Sequence, residues 1–290
     1  MANAPSGRLY VVATPIGNLG DLSPRGRATL AACAVVAAED TRHSAALLRH
    51  FGITTPLLSL HGHNERERTP SLLRRLAEGA DVALISDAGT PAISDPGGEL
   101  VHAAAAAGIE VVAVPGPCAA IAALSIAGLP TATFAFEGFL PARAAARRRR
   151  LAELAGEPRT LVIYEAPHRL RAMLEDCVAA FGRARRAAIV RELSKLHEKT
   201  YRDELAALAA LAAREPALSR GELVVLIEGA GATETAPPAD AELERVLRAL
   251  LAELPLAQAA RLAARIVGAR DNEAYRRALA LRDAAPAPDP

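Results

Sequence analysis

Cysteine is scarce in this 290-residue chain, and long apolar runs are missing. The three cysteines, Cys33, Cys118 and Cys177, are widely spaced with no CxxC pair, so the sequence indicates neither a disulfide framework nor a zinc cluster. No stretch reaches the roughly 18 uninterrupted apolar residues of a membrane span, and the first residues lack a basic and then apolar signal pattern. We therefore expect a soluble, cytoplasmic protein with no membrane partner.

An excess of charge of one sign is also missing. The chain has 34 Lys and Arg residues against 33 Asp and Glu, a net charge of +1, which argues against a uniformly basic protein that coats nucleic acid. A local basic patch stays possible. With 51% hydrophobic and 23% charged residues the chain is too apolar for disorder over most of its length, and that length predicts two domains.

Two common nucleotide-binding motifs are absent. The loop Thr14-Pro15-Ile16-Gly17-Asn18 has neither GxGxxG spacing nor the phosphate-loop pattern that ends in GKS or GKT, which disfavours an ordinary dinucleotide-binding domain and a nucleotide hydrolase. His61 and His63 stand two residues apart, but no third ligand follows at a convincing spacing, so we predict no metal site. A mobile loop that faces the substrate is the favoured interpretation of that stretch.

Short runs rich in Val, Ile and Leu alternate with longer stretches of helical character, which predicts an α/β fold. The runs are nearly continuous in apolar residues and therefore indicate sheets covered by helices on both faces. The predicted strands are 9–13, 35–38, 82–85, 111–114, 161–164, 188–190 and 223–227.

Glycine- and proline-containing segments predict where the chain divides into domains. A boundary is expected at Gly128-Leu129-Pro130, where a helical Ala/Ile stretch stops, and a linker is expected over 231–240. We therefore predict an α/β domain over 1–130, a second α/β domain over 131–232 and a small helical module over 241–283. The last six residues are expected to fray.

Polar residues, glycines and prolines follow the predicted strands, where ligands bind in open α/β sheets. The fullest example is the loop 85–98, in which Asp87 and Asp95 offer carboxylates of the kind that receive ribose hydroxyls or an amine. The glycines and prolines of this loop could equally shape a tight turn. Pro115-Gly116-Pro117 has the same two interpretations, since it could lay backbone against a flat ligand or turn the chain.

One short segment concentrates positive charge without an acidic residue inside it: Arg143, Arg147, Arg148, Arg149 and Arg150. An arginine face of this density can bind phosphates through charge-assisted, often bidentate contacts. The alternative is a solvated helix surface that Glu153 and Glu157 offset. Phosphate contact is the favoured hypothesis.

Four segments taken together resemble one family: VATPIGNLGDLSPRG at 12–26, AAEDTRHSAALL at 37–48, ISDAGTPAISDPG at 85–97 and VPGPCAA at 114–120. They closely resemble the ribosomal small-subunit RNA cytidine 2′-O-methyltransferases, which are members of the tetrapyrrole methylase superfamily. The resemblance continues through FEGFLP, YEAPHR, REL and GELVVLIEG to about residue 230. The segment from Glu253 to Leu279 is similar to the small C-terminal helical module of many such enzymes.

The resemblance implies two α/β/α domains of the tetrapyrrole methylase type, a cleft between them that binds S-adenosyl-L-methionine, and a homodimer. The substrate that it implies is a cytidine ribose of 16S ribosomal RNA, met as free small-subunit RNA or in an assembled 30S subunit. The donor-binding residues that it implies are Pro15, Ile16, Asp87, Ala88, Gly89, Ile93, Ser94, Asp95, Pro115, Gly116, Ala119, Tyr164, Glu165, Ala166 and the segment 221–229. Ala166 and Ser194 depart mildly from the residues that relatives often carry.

A ribose hydroxyl is a weak acid, so a base that takes its proton would assist transfer. The sequence leaves six candidates: Asp40, Glu39, His168, Glu165, Glu192 and Lys195, the last only if burial lowers its pKa. We hypothesise that Glu39, Asp40 and Lys195 flank the acceptor nucleotide, because they follow strands of different domains. At least one of the two carboxylates is expected to cap a helix at Thr41 instead.

Three further hypotheses complete the prediction. Arg42, Arg169 and the run from Arg147 to Arg150 are assigned to RNA contact. A methyltransferase of the same superfamily that acts on a tetrapyrrole or a protein side chain is the alternative within the enzyme class. A non-catalytic RNA-binding assembly factor that keeps the cleft as structure is the alternative outside it.

Overall fold

The structure, a computed structural model, describes residues 6–231 and 239–283. Its contacts divide the chain into two compact units, one of Met1–Ala152 with Arg159–Glu228 and one of Glu153–Pro158 with Gly229–Pro290. Among the described residues the first unit holds two five-stranded sheets, and the second holds three helices. No described helix is long and apolar enough to cross a membrane.

The first sheet is wholly parallel, with strand order β3-β2-β4-β1-β5. Its strands are β1 Leu9–Val12, β2 Val35–Ala38, β3 Leu57–Ser59, β4 Val82–Ile85 and β5 Val111–Val114. Its helices are α1 Pro24–Ala32, α2 Thr41–His50, α3 Glu65–Ala77, α4 Gly98–Ala106 and α5 Ala119–Ile126. Alternate residues of β2 enter different apolar clusters, Val35 and Ala37 on one face and Val36 and Ala38 on the other, so both faces are covered as predicted.

The parallel arrangement decides where the loops of the first sheet meet. The carboxyl ends of parallel strands lie at one edge, so the segments after β1, β2, β4 and β5 converge there. These segments are the ones that the sequence singled out as polar or rich in glycine and proline.

The second sheet is mixed, with strand order β6-β7-β10-β8-β9. Its strands are β6 Phe134–Phe139, β7 Thr160–Glu165, β8 Arg186–Arg191, β9 Lys199–Glu204 and β10 Leu223–Ile227. Its helices are α6 Ala144–Glu153, α7 Pro167–Phe181 and α8 Leu205–Arg214. Helix α5 packs on this sheet through an apolar cluster that joins Ala120, Ala123 and Leu124 to Val162 and Leu226.

The direction of β10 corrects one predicted site segment. This strand runs antiparallel to both β7 and β8, and Leu223 stands opposite Glu165 and Arg191. The start of β10 therefore lies beside the carboxyl ends of its neighbours, while its own carboxyl end points the other way. At roughly 3.4 Å per residue Glu228 lies far along the sheet, so the prediction was wrong for the second half of 221–229.

The seven predicted strands all form, and β3, β6 and β9 are additional. The boundary predicted at residue 130 falls between α5 and β6 and, as a division into domains, stays a prediction. The second unit folds as α9 Ala239–Leu251, α10 Leu256–Val267 and α11 Asp271–Asp283. Its core joins Leu243, Leu247, Ala260, Ala264 and Ala278. Most of the predicted linker, 232–238, and the predicted frayed tail lie outside the described residues.

Candidate functional site

A cavity of about 470 Å³ lies where the carboxyl edge of the first sheet meets the second sheet. Pockets for small ligands commonly measure roughly 300–1,000 Å³. The structure brings together most of the residues predicted for donor binding, namely Ile16, Asp87, Ala88, Gly89, Ile93, Ser94, Asp95, Ala119, Tyr164, Glu165 and Ala166. Glu39, predicted as a catalytic residue, lines the same cavity.

Several predicted residues are not among those that line the cavity: Pro15, Pro115, Gly116, Asp40 and Lys195. At Gly116 a Cβ atom would stand 2.9 Å from the Cβ of Ala13, so this glycine lets its loop approach β1 closely. The glycine at position 116 is therefore explained by the turn of the chain, one of the two interpretations of Pro115-Gly116-Pro117.

Sequence reasoning missed other lining residues, among them Phe139 and Leu193. Phe139 belongs to a strand that the sequence did not reveal. The FEGFLP and REL segments, which are part of the resemblance, were the available signal. Glu222, in the first half of the predicted segment 221–229, reaches the cavity because β10 runs antiparallel.

The loop after β4 forms one side of the cavity. Thr14 and Gly89 exchange backbone hydrogen bonds of 2.9 and 3.1 Å, and the Thr14 hydroxyl donates to the Ser86 carbonyl at 3.1 Å. Further along, Ala92 and Ser94 adopt left-handed backbone conformations with φ of 67° and 64°. Left-handed non-glycine residues are costly, and in folded proteins they cluster at functional sites.

Three carboxyl groups face this part of the site, those of Glu39, Asp87 and Asp95. The backbone N–H of Asp40 donates to the Asp87 carboxylate at 3.0 Å. Burial, together with the negative charges of Asp95 and Asp87, raises the pKa of Glu39. Burial also raises the pKa of Asp95, with a smaller contribution from Asp87. The cluster is suited to a ligand that brings positive charge or hydroxyl donors.

Asp40 caps α2, as expected for one carboxylate of the pair. Its side chain accepts a hydrogen bond from the backbone N–H of Arg42 at 2.8 Å. This hydrogen bond, and a contact with the Arg42 guanidinium, lower the pKa of Asp40. Arg42 itself is 92% exposed.

Tyr164 joins the two sheets at the cavity. Its phenol oxygen accepts a hydrogen bond from the backbone N–H of Ala120, and its ring makes edge contacts with Phe136 and Phe139. Burial raises the pKa of Tyr164 to about 12, so the phenol stays neutral at physiological pH.

The Glu165 side chain is fully buried, and burial raises its pKa. One carboxylate oxygen accepts from the Ala166 N–H at 2.8 Å and lies 3.1 Å from the Nε of Arg169. Arg169 also donates to the Leu140 carbonyl at 2.7 Å. Since these internal contacts occupy a largely buried guanidinium, the prediction that Arg169 contacts RNA is corrected.

Lys195 is held between two carboxylates. Its Nζ lies 3.1 Å from both Glu192 Oε1 and Glu222 Oε2, and its aliphatic chain packs so closely on Gly17 that a Cβ there would stand 2.4 Å from Cγ. Partial burial lowers the pKa of Lys195, but hydrogen bonds to Glu222 and Glu192 outweigh it and raise the pKa. Lys195 is therefore a cation, and its candidacy as the base is wrong.

The arginine run does not form one exposed face. Arg147 is buried, with its guanidinium 2.7 Å from Asp176, and Arg148 shares that carboxylate at 2.8 Å. Arg150 pairs with Glu137 at 2.7 Å. Arg149 is exposed. Because a helix turns its residues to different sides, Arg147 stabilises the fold, and the predicted phosphate contact is wrong at this residue.

His61 and His63 lie in the turn before α3, with ring centroids 6.0 Å apart. Within 6–231 and 239–283, no group of three or more His, Cys, Asp and Glu side chains is arranged to hold a metal ion.

Comparisons with known proteins place the chain in a family. Residues 8–209 match the family of Tetrapyrrole (Corrin/Porphyrin) Methylases, and residues 237–282 match the RsmI C-terminal HTH domain. A cobalt precorrin-4 methyltransferase superposes with a TM-score of 0.57 at 19% identity, covering 76% of this chain and 94% of that one. Uroporphyrin-III C-methyltransferase of Thermus thermophilus, complexed with S-adenyl homocysteine, superposes with a TM-score of 0.54 at 22% identity, covering 76% and 97%.

Sequence relatives narrow the class. The chain is 57% identical to Ribosomal RNA small subunit methyltransferase I of Pseudomonas aeruginosa, over 94% of this chain and 97% of that protein. It is 49% identical to the protein of the same name from Escherichia coli O157:H7, over 96% of each. The chain therefore belongs to the tetrapyrrole methylase family and, within it, to the ribosomal RNA small subunit methyltransferase I group.

Proposed function

We propose that this chain transfers a methyl group from S-adenosyl-L-methionine to 16S ribosomal RNA of the small subunit, and that the acceptor is the 2′-hydroxyl of a cytidine. The observation that carries the proposal is the 57% identity, over nearly all of both chains, to a ribosomal RNA small subunit methyltransferase. The tetrapyrrole-modifying structures share the fold at 19–24% identity, which gives no reason to prefer a tetrapyrrole acceptor.

The cavity fits the donor. When bound, S-adenosyl-L-methionine supplies a methyl group on a positively charged sulfur. The Asp87 and Asp95 carboxylates are suited to its ribose hydroxyls and amine, and their charge complements a cation. Ile16, Ala88 and Ala119 supply apolar surface, which favours a reaction that removes positive charge from the sulfur.

Glu39 is proposed as the proton acceptor. Its carboxyl group lines the cavity, and burial and neighbouring charges raise its pKa, so it is a stronger base than an exposed glutamate. The other candidates are occupied by internal contacts: Asp40 caps α2, Lys195 is a cation, and the Glu165 carboxylate is held by the Ala166 N–H and lies 3.1 Å from Arg169 Nε. Glu192 forms an ion pair with Lys195, and His168 is exposed and is not among the cavity-lining residues.

Lys195 is proposed to orient the acceptor instead of taking its proton. Together with Glu192 and Glu222 it holds the loop after β8 against Gly17, beside the cavity. The Ser194 hydroxyl also donates to the Asp21 carboxylate of the first sheet's loop. A fixed geometry matters because methyl transfer is an in-line displacement whose rate depends on the alignment of acceptor and donor.

The proposed RNA contacts are Arg42, Arg148 and Arg149, whereas the predicted contact of Arg150 stays a prediction because its guanidinium pairs with Glu137. Arg42 and Arg149 are exposed, and Arg148 is 70% exposed beside its ion pair, so their guanidinium groups can reach phosphates. The family resemblance supports a homodimer. The three free cysteines support a reducing compartment such as the cytoplasm.

The test is transfer of tritium from S-adenosyl-L-methionine labelled in its methyl group. Small subunits from a strain that lacks the modification, and naked RNA extracted from them, serve as acceptors. We expect label in the RNA with the wild-type chain and labelling slower by a factor of about 10²–10⁴ with Glu39→Gln, which should still bind S-adenosylhomocysteine. Label in a tetrapyrrole or a protein instead of RNA would overturn the proposal.

A further inference from the structure

Helix α4 begins at a residue that cannot cap it. Its N-cap is Gly97, which has a left-handed φ of 118°, and a Cβ there would stand 2.6 Å from the Leu84 side chain. Both the backbone conformation and the packing on β4 therefore disfavour Ser, Thr, Asp and Asn, whose side chains usually accept hydrogen bonds from the first turn of a helix.

Glu65, the first residue of α3, supplies the missing acceptor. Its Oε1 accepts hydrogen bonds from the backbone N–H groups of Gly97, Glu99 and Leu100 at 3.0, 2.9 and 3.1 Å. Glu65 is only 7% exposed. A buried carboxylate at a helix N-terminus also gains from the helix dipole, so the contact is both directional and charged.

This contact fixes one end of the loop after β4. The other end is fixed by the backbone pairing of Thr14 with Gly89. Between the two ends the internal hydrogen bonds are long, 3.3 Å from the Ala92 N–H to the Pro96 carbonyl and 3.4 Å from the Ile93 N–H to the Thr90 carbonyl. The backbone there includes two left-handed residues, which require support from their surroundings.

We infer that Glu65 is a positioning residue for donor binding, which acts through the start of α4 to hold Ser94 and Asp95 at the cavity. The inference rests on the proposed function, because it assigns the cavity to S-adenosyl-L-methionine. Glu65 does not line the cavity. Its loss is therefore expected to weaken donor binding without removing a group that touches the reacting atoms.

The experiment compares Glu65→Ala and Glu65→Gln with a matched control, Glu67→Ala, on the exposed side of the same helix. Calorimetric titration with S-adenosylhomocysteine gives the Kd, and steady-state assays give KM for the donor and kcat. Hydrogen exchange of the unliganded protein follows the amides of residues 92–100. Glutamine keeps an acceptor oxygen in place but removes the charge.

We expect Kd and donor KM to rise about tenfold or more for Glu65→Ala and less for Glu65→Gln, since charge-assisted hydrogen bonds are about twice as strong as neutral ones. The kcat at saturating donor should stay near the wild-type value, and amide exchange should accelerate in 92–100 but not in the strands.

The inference would be overturned if Glu65→Ala bound S-adenosylhomocysteine with the same Kd as Glu67→Ala. If Glu65→Ala does not fold, Glu65→Gln with wild-type Kd and exchange would overturn it equally. A wild-type chain that fails to bind S-adenosylhomocysteine would instead refute the proposed function.

Discussion

The phenol oxygen of Tyr164 lies 3.0 Å from the backbone nitrogen of Ala120, from which it accepts a hydrogen bond. Tyr164 is the last residue but one of β7 in the second sheet, and Ala120 stands in the first turn of α5, which follows the first sheet. The bond therefore joins the two halves of the fold at the cavity and satisfies an N–H that a helix start leaves without a partner.

Tyr164→Phe is expected to weaken S-adenosylhomocysteine binding by about three- to tenfold, because the Ala120 N–H loses a partner worth roughly 1 kcal/mol. Calorimetric titration measures the change. Tyr201→Phe on β9, which lies outside the cavity lining, is the control and should bind normally. Equal affinity of the two variants would show that the hydrogen bond does not contribute to the site.

Glu39→Gln is expected to lower kcat by a factor of about 10²–10⁴, the usual contribution of a general base, with little change in donor affinity. Asp40→Asn is the matched control, since asparagine caps a helix about as well as aspartate. Single-turnover assays at saturating donor compare them. A large loss of the transfer rate in Asp40→Asn, with no loss in Glu39→Gln, would identify Asp40 and not Glu39 as the general base.

The pH dependence of transfer follows from the same residue. Glu39 accepts a proton only when ionised, so the rate should fall as pH drops through its pKa. Because burial and the charges of Asp95 and Asp87 raise that pKa, the fall should begin above the ordinary glutamate value of 4.5. Rate profiles at saturating donor and RNA test this, and a profile in Glu39→Gln with the same acid limb would exclude Glu39 as its origin.

Lys195→Ala is expected to reduce methyl transfer at least about tenfold while donor affinity is kept, since it leaves Glu192 and Glu222 without their shared cation and frees the loop beside Gly17. Lys199→Ala, four residues on in the edge strand β9, is the control. Near-normal methyl transfer by Lys195→Ala would show that this lysine does not orient the acceptor.

Arg147→Ala should lower the stability of the protein, whereas Arg149→Ala should change only its binding to RNA. Removing Arg147 leaves a buried Asp176 short of a partner, and loss of one member of a buried ion pair costs about 3 kcal/mol of unfolding free energy, measured by urea denaturation. Arg149→Ala should leave stability unchanged. It should reduce the slope of log K for RNA binding against log salt concentration by about one unit, which corresponds to one lost phosphate contact. A salt slope unchanged by Arg149→Ala would refute its phosphate contact.

Four strands of the first sheet and three of the second could be predicted because they are short and nearly all apolar, as in Val35–Ala38 and Val82–Ile85. The missed strands lack that pattern. Leu57–Ser59 is three residues long, Lys199–Glu204 is a polar edge strand, and Phe134–Phe139 contains a glycine and a register shift. Such edge strands are specified by their neighbours more than by local composition.

The site was predictable as a set of loops but not as a geometry. Loops at one edge of a parallel sheet must meet, which brought Glu39, Asp87 and Asp95 together as expected. The sequence could not show that β10 runs antiparallel, or that Arg147 faces inward toward Asp176, because both depend on contacts distant in the chain.

The position of the transferred methyl group on the RNA is the sharpest test of the proposed reaction. Small-subunit RNA methylated by the chain in vitro would be digested completely with alkali alone, and the labelled products identified by mass spectrometry. Because a 2′-O-methyl group blocks alkaline cleavage at its own nucleotide, we expect label in an alkali-resistant dinucleotide that contains methylated cytidine. Label released in a single nucleotide, or carried on a base, would contradict it.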